Sequence, residues 1–370
     1  MSKNKVLLIE PYYGGSHKQF LEGIMKYVDG NYSLLQLPAR KWKMRMQLSA
    51  PWFIQKIKEM PEEERNFDIV LMSTFTDVAV FRALVSQIRG WNPDIRYYTY
   101  FHEKQFAYPG LLAKSTTHQF TAINFTTALA SDRLAFNSTF NRGTFLNQCR
   151  EYIGKAADMK LFEELNDIKD KSLVLYPGID FRALDMIDKP AQNQDKPLLV
   201  WNHRWEHDKN PEGFFQILYR LDEEGIPFRL AILGQSFRKR PAIFAEAQRR
   251  LEHLIDHFGF VADKSEYYEI LKKGNVIVST SLHEFFGISM LEGVRAGCFP
   301  LVPDRLSYPE LFDKRFRYEE GALYKMLKDQ LIKKSALSRD DSVRITEKYS
   351  WSVLSKEYRQ WFENEEKNES

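Results

Sequence analysis

The strongest constraint on the fold is a rhythm of short apolar runs alternating with segments of helical character. In the first half the runs fall at residues 6–9, 33–37, 68–72, 96–101, 134–136 and 173–176. They are nearly continuous in polarity, as strands buried on both faces must be. Helical segments at 16–27 and 78–88 stand between them. This βαβ rhythm predicts a parallel, doubly wound sheet. It breaks at 180–197, where Asp, Lys, Gln, Asn and Pro displace large apolar residues, as in an interdomain connection. A second series occurs at 198–201, 228–233, 258–261, 276–279 and 299–302, with helices expected at 211–224 and 243–257.

A chain of 370 residues is too long for one ordinary core and suits two. The expected fold is α/β: two Rossmann-like domains facing a cleft, at 1–182 and 183–348, then a helix and tail at 349–370 rich in Trp, Tyr and charge. Fifty-three Lys and Arg against fifty Asp and Glu leave a net charge of +3, so any basic surface must be local. Two cysteines cannot build a disulfide framework or a Cys-rich zinc site, which points to a reducing compartment. The apolar stretch in MSKNKVLLIE is too short for a signal peptide, and eighteen apolar residues never run together. A cytoplasmic protein is the expectation.

Residues 282–293, LHEFFGISMLEG, carry the clearest chemistry. They come after the run at 276–279, and a helix is expected from about Gly287 to Ala296 with Gly297 past its end. Glu284 then lies in the loop before the helix and Glu292 inside it. Backbone amides at Phe286 and Gly287 would face an anion at the helix N-terminus. Two cations, Arg204 and Lys209, stand where the strand at 198–201 ends and the next helix begins, a placement suited to a diphosphate leaving group. After the first run, Gly14 and Gly15 permit close approach of a ligand, although the string lacks the dinucleotide fingerprint. No Asp-x-Asp, Cys-x-x-Cys or P-loop string occurs, so no metal is expected.

Residues 284–292 closely resemble the Glu-x7-Glu signature of retaining glycosyltransferases of family 4, which have the GT-B fold. The resemblance implies that Glu284 lies beside the transferred sugar and Glu292 bonds the ribose of a sugar nucleotide. It implies an Arg204/Lys209 pair at the diphosphate and backbone contacts to the base near Phe260 and Val261. It also implies a C-terminal helix crossing back to the first domain. Ser307-Tyr308-Pro309-Glu310 and Tyr176-Pro177-Gly178-Ile179-Asp180 are similar to further segments of that family, with Tyr-Pro-Gly in place of its usual Pro-Asn-Gly.

Phe101-His102-Glu103-Lys104-Gln105-Phe106-Ala107-Tyr108-Pro109 resembles a motif of one branch of the family, the tRNA-queuosine α-mannosyltransferases. Ile9-Glu10-Pro11-Tyr12-Tyr13-Gly14-Gly15-Ser16-His17 and the stretch from Leu37 to Met46 match that branch again. The resemblance implies GDP-mannose as donor, queuosine-containing tRNA as acceptor, His102 at the sugar, and His17, Glu103 and Gln105 toward the acceptor. The third stretch also has a reading of its own. Arg40, Lys41, Lys43 and Arg45 surround Trp42 with no acid among them; cations meet phosphates and an indole face can stack on an unpaired base. Arg238, Lys239 and Arg240 form a second basic group. Two other readings stay open: another sugar nucleotide with a saccharide or lipid acceptor, and an RNA-binding protein without catalysis.

Overall fold

Successive residues of the first strand enter different cores. Val6 and Leu8 pack on one face with Ile69, Leu71, Tyr98 and Tyr100; Leu7 and Ile9 pack on the other with Val70, Met72 and Tyr97. A strand apolar on both faces must be covered on both, and the parallel order achieves this with helices. The computed structural model describes residues 3–104, 114–156, 158–190, 196–236 and 241–363. Its chain divides into one unit of residues 1–179 and 351–370 and another of residues 180–350.

In the first unit the strands are β1 (Lys5–Tyr13), β2 (Asn31–Pro38), β3 (Ile69–Ser73), β4 (Arg96–Phe101), β5 (Arg133–Phe136) and β6 (Ser172–Val174). They pair in parallel in the order β2-β1-β3-β4-β5-β6. The order reverses between β1 and β3, and a crevice outside the carboxyl ends of the strands is expected at such a switch point. Three helices border this end of the chain's first half: α1 (Gly15–Tyr27), α2 (Trp42–Glu59) and α3 (Val78–Val85). A fourth, α4 (Trp351–Glu363), belongs to this unit although the other unit precedes it in sequence. Its Trp351, Leu354, Tyr358 and Trp361 form a buried stripe at helical spacing and complete the core over Val6, Leu8 and Phe20. The implied return of the C-terminal helix to the first domain is thus present.

The second unit has β7 (Leu198–Asn202), β8 (Arg229–Leu233), β9 (Ile255–Gly259), β10 (Val276–Val278), β11 (Phe299–Pro303) and the short β12 (Arg317–Tyr318). Their order is β12-β11-β10-β7-β8-β9, again all parallel, with the reversal between β7 and β10. Sequence patterning misplaces the region before β9. The helix expected at 243–257 stops at Arg250, and a 3-10 turn leads into a strand at 255–259 instead of 258–261. His253 and His257, four residues apart, would share a face of the longer helix; instead His253 pairs with Asp222 and His257 lies in the strand. The expected linker at 180–197 is also more structured than its composition suggests. Phe181 and Leu184 are buried, residues 182–185 form a helical turn, and Asp185 holds Arg295. Among the described residues, no helix is long and apolar enough to cross a membrane.

Candidate active site

The loops after β7 and β10, the two strands at the switch point, bring together residues far apart in sequence. Asn210 adopts φ 49°, caps the next helix by accepting a hydrogen bond from the Gly213 amide, and so ends the 3-10 turn His207–Lys209. That turn directs the Lys209 side chain inward, where it is 7% exposed. Its ammonium donates to the His283 carbonyl at 2.6 Å and stands 3.3 Å from both Glu284 and Asp208. Thr280 Oγ1 donates to the Lys209 carbonyl at 2.7 Å and the Leu282 amide to the Asp208 carbonyl at 2.8 Å, which locks the two loops together. Arg204 is half-exposed and pairs with Glu206 at 3.2 Å.

Burial opposes ionisation of Glu284, but Lys209, then His203, the Phe286 amide and Arg204 outweigh it and hold the carboxyl below its ordinary range. Burial and the Lys209 charge push His203 down to about 3, leaving a neutral imidazole. Arg204, Lys209 and Glu284 are therefore one electrostatic group. It can neutralise charge developing on an anionic ligand.

The next helix runs Ile288–Arg295, and Gly287 begins it at φ 115°. A side chain there would be strained, and its Cβ would come within 3.3 Å of the Tyr308 ring. The Phe286 amide, expected to face a ligand, lies 3.5 Å from Glu284 Oε1, which also accepts from Phe285 at 3.2 Å. The carboxylate thus caps its own loop. Ser307 donates to the Phe286 carbonyl at 2.7 Å and Tyr308 shares a 2.6 Å hydrogen bond with Ser279. The segment 307–310 is a buttress for this loop.

Glu292 is 5% exposed, and its oxygens are engaged by Lys264 at 3.0 Å and Tyr267 at 2.7 Å. Asn202, the last residue of β7, donates to Tyr267 at 2.7 Å. Sequence reasoning missed Lys264, Tyr267 and Asn202; an ion-pair partner 28 residues upstream leaves no local signal. Phe260, 63% exposed, and Val261 lie just past β9.

The first unit gathers a second group at its own switch point. Glu10 on β1 is 1% exposed; its Oε1 accepts from the Tyr12 amide at 2.8 Å and Ser73 Oγ at 3.0 Å. Its Oε2 is 3.0 Å from His17 Nδ1. The His17 ring stacks on His102, centroids 4.0 Å apart. Burial and then His17 hold the His102 imidazole well below its ordinary pKa. Glu103 comes directly after it in the chain; Gln105 and the basic group 238–240 lie outside the described residues. Glu10, His17 and His102 could offer ligand atoms within 4.8 Å of one another to a metal. The Glu10 oxygens, however, already face three protein donors.

Some expectations shift in meaning. A Cβ on Gly14 would meet the Ala39 side chain at 2.5 Å, so Gly14 lets the chain pass its own neighbour; Gly15, at φ 52°, faces open space. Arg40, Lys41 and Lys43 are exposed at the start of α2, whereas Arg45 is half-buried, its Nε without a hydrogen-bond partner among the described residues. Trp42 is half-buried on Phe120 and Phe75, centroids 5.2 and 6.1 Å away, with the Lys43 ammonium 5.7 Å above its ring. It is not the open stacking face its sequence context suggests.

Comparison with known proteins respects the same division. Residues 5–179 match the family described as tRNA-queuosine alpha-mannosyltransferase N-terminal, and residues 184–338 match glycosyl transferases group 1. The tRNA-queuosine alpha-mannosyltransferase of Drosophila melanogaster is 33% identical over 338 residues, 88% of this chain and 86% of the relative. Among solved structures, the sucrose-phosphate synthase of Thermosynechococcus elongatus aligns with a TM-score of 0.71 at 13% identity, over 98% of this chain and 99% of that one. HepE of Anabaena in complex with UDP-glucose gives 0.69 at 11%, over 98% and 100%. These structures establish the GT-B fold. The likeness to a curated relative over most of both chains goes further: the chain is a glycosyltransferase and belongs to the tRNA-queuosine α-mannosyltransferase family.

Proposed function

We propose that the enzyme moves mannose from GDP-mannose to queuosine in the anticodon loop of a tRNA, with retention at the anomeric carbon. The family relationship supports the acceptor, and the convergence of Arg204, Lys209 and Glu284 supports a sugar-nucleotide donor. As the bond from C1 to phosphate oxygen breaks, Arg204 and Lys209 neutralise the charge on the diphosphate. An acceptor hydroxyl oxygen forms the new bond to C1, and its proton passes to the departing phosphate, so no protein nucleophile is assigned. Glu284 and His102 hold the mannose. Glu292, oriented by Lys264 and Tyr267, serves the ribose. Incubation with a panel of sugar nucleotides and queuosine-containing tRNA, followed by nucleoside mass analysis, tests the reading. A hexose added from another donor, or none added to the tRNA, would overturn it.

The proposed reaction uses fixed cations in place of a divalent ion, so EDTA should leave turnover unchanged. Complete loss restored by Mg²⁺ or Zn²⁺, with the tRNA fold held constant, would refute metal independence and direct attention to Glu10, His17 and His102.

The basic start of α2 is the proposed tRNA contact. Replacing Arg40, Lys41, Lys43 and Arg45 should weaken tRNA binding and flatten its salt dependence. The slope of log K on log salt should fall by roughly 0.7–0.9 for each phosphate that is no longer neutralised. Arg45, half-buried, should contribute least. Trp42→Ala should leave the slope unchanged, and its effect should fall on stability more than on base stacking, since the indole is committed to Phe120 and Phe75. Its melting temperature must therefore be measured alongside. Binding and slope unaffected by the fourfold change would remove the RNA contact from this helix.

A further inference from the structure

Leu198, Leu199, Val200 and Trp201 make β7 apolar up to its last residue, Asn202, whose side chain is buried all the same. A buried amide that finds no partner is costly, so its contacts say what holds it there. Asn202 Nδ2 donates to the Tyr267 phenol oxygen at 2.7 Å and to the Ser289 carbonyl at 3.5 Å. Tyr267 belongs to the helix Lys264–Lys273, which Asp263 caps by accepting from the Glu266 amide at 2.8 Å. Residues 264, 267 and 268 therefore share one face of its first turn. All three reach Glu292 on the neighbouring helix. Lys264 and Tyr268 approach Oε1 at 3.0 and 3.5 Å, and Tyr267 donates to Oε2 at 2.7 Å. A phenol has one proton to give. With Asn202 already donating to its oxygen, Tyr267 gives that proton to Glu292.

We propose that Asn202 is a positioning residue for the donor: by fixing the Tyr267 hydroxyl it fixes the Glu292 carboxylate, and so sets selectivity for ribose over deoxyribose. This rests on the proposed function, in which Glu292 meets the ribose. A carboxylate has about four lone-pair directions. Three protein donors face those of Glu292, which leaves acceptor capacity for a hydroxyl that a ribose brings. A site built to accept from such a hydroxyl discriminates against a nucleotide lacking it, provided the acceptor cannot turn away. Asn202 supplies that restraint from the rigid end of a central strand. The ribose is remote from the bond that breaks, so loosening Glu292 weakens donor binding more than it slows the chemistry. Asn202 also stands two residues before Arg204, so one strand end serves the ribose and the diphosphate together.

The test is calorimetric titration with whichever of GDP, UDP and ADP binds most tightly, and with its 2′-deoxy and 3′-deoxy forms. All three carry the same ribose, so the result does not depend on the base. The wild type should bind at least one deoxy form about tenfold more weakly, as expected for a lost hydrogen bond to a charged group. Asn202→Leu keeps the bulk of the side chain and removes its donor; it should bring that ratio down to about 3 or less. Tyr267→Phe should do the same, and the double variant should be no worse than either alone, because both act on one carboxylate. In turnover assays KM for the donor should rise more than kcat falls. A full ribose preference in both single variants overturns the proposal, as does an Asn202→Leu defect confined to kcat, which would place its effect at Arg204. Glu292→Gln separates this from failure of the underlying reading. If it keeps the wild-type preference, or if the wild type shows none, Glu292 does not meet the ribose and the proposal falls with that assignment. Should Asn202→Leu fail to fold, Tyr267→Phe, which loses a single oxygen, decides by the same ratio.

Discussion

Lys209→Ala should lower kcat by roughly 10²–10³-fold, the usual cost of removing one preorganised electrostatic contact to a developing charge. The side chain is almost wholly enclosed and its ammonium is held by three oxygens, so it is fixed in place before the charge develops. Its loss also takes from Asp208 and Glu284 the ammonium that pairs with both at 3.3 Å, leaving Arg204 as the more distant counter-charge to Glu284. The Glu284 carboxyl, now held low by Lys209, should rise toward its ordinary value. The remaining activity should therefore fall further on the acid side than that of the wild type. Arg204→Ala should also slow turnover strongly while leaving that acid limb nearly in place, because Arg204 is half-exposed and paired with Glu206. Steady-state rates across pH, with melting curves to confirm folding, decide the matter. Wild-type rates in both variants would dissociate these cations from the chemistry.

The largest effect on stability is expected from Trp351→Ala. The indole is 2% exposed and fills the space beside two glycines: a Cβ on Gly23 would lie 2.2 Å from the ring and one on Gly178 2.3 Å. It stacks parallel to Tyr27 at 5.8 Å and tilts against Tyr358 at 5.0 Å. Emptying that site should cost about 3–5 kcal/mol, roughly 10 °C in Tm for a unit of this size. Gly23→Ala should destabilise the same unit by the opposite route, overpacking against a ring that cannot move. Differential scanning calorimetry with limited proteolysis would locate the change. If the transition that releases fragments of residues 1–179 is unmoved, α4 does not hold the core together.

The architecture could be read from sequence because it depends on average properties of many residues. Strands such as Val6–Ile9 are apolar at every position, and a run of that kind has few solutions besides a covered parallel strand. The failures arise where the outcome depends on one partner. Residues 243–257 look helical until Ile255 finds a place beside Leu230, and edge pairing of that kind has no local signal. Arg204, Lys209 and Glu284 could be picked out because charges at strand ends are conspicuous. Lys264, Tyr267 and Asn202 around Glu292 could not, since only the stacking order of β7 and β10 brings them to one helix face. Trp42 was legible as an aromatic among cations, but its commitment to Phe120 was not.

The return of α4 to the first sheet has a consequence for synthesis. Residues 180–350 are contiguous and hold both edges of their own sheet, so they can fold as soon as they leave the ribosome. The earlier-made sheet cannot complete its core until Trp351–Glu363 has been made. At about 5–20 residues per second, translating the intervening unit takes roughly 10–30 s. Throughout that interval the face carrying Val6, Leu8 and Tyr98 has α1 over it but lacks the cover of Trp351, Leu354, Tyr358 and Trp361. The nascent chain therefore finishes its second half before its first, and its vulnerable period for chaperone binding or aggregation belongs to the half that was made earliest.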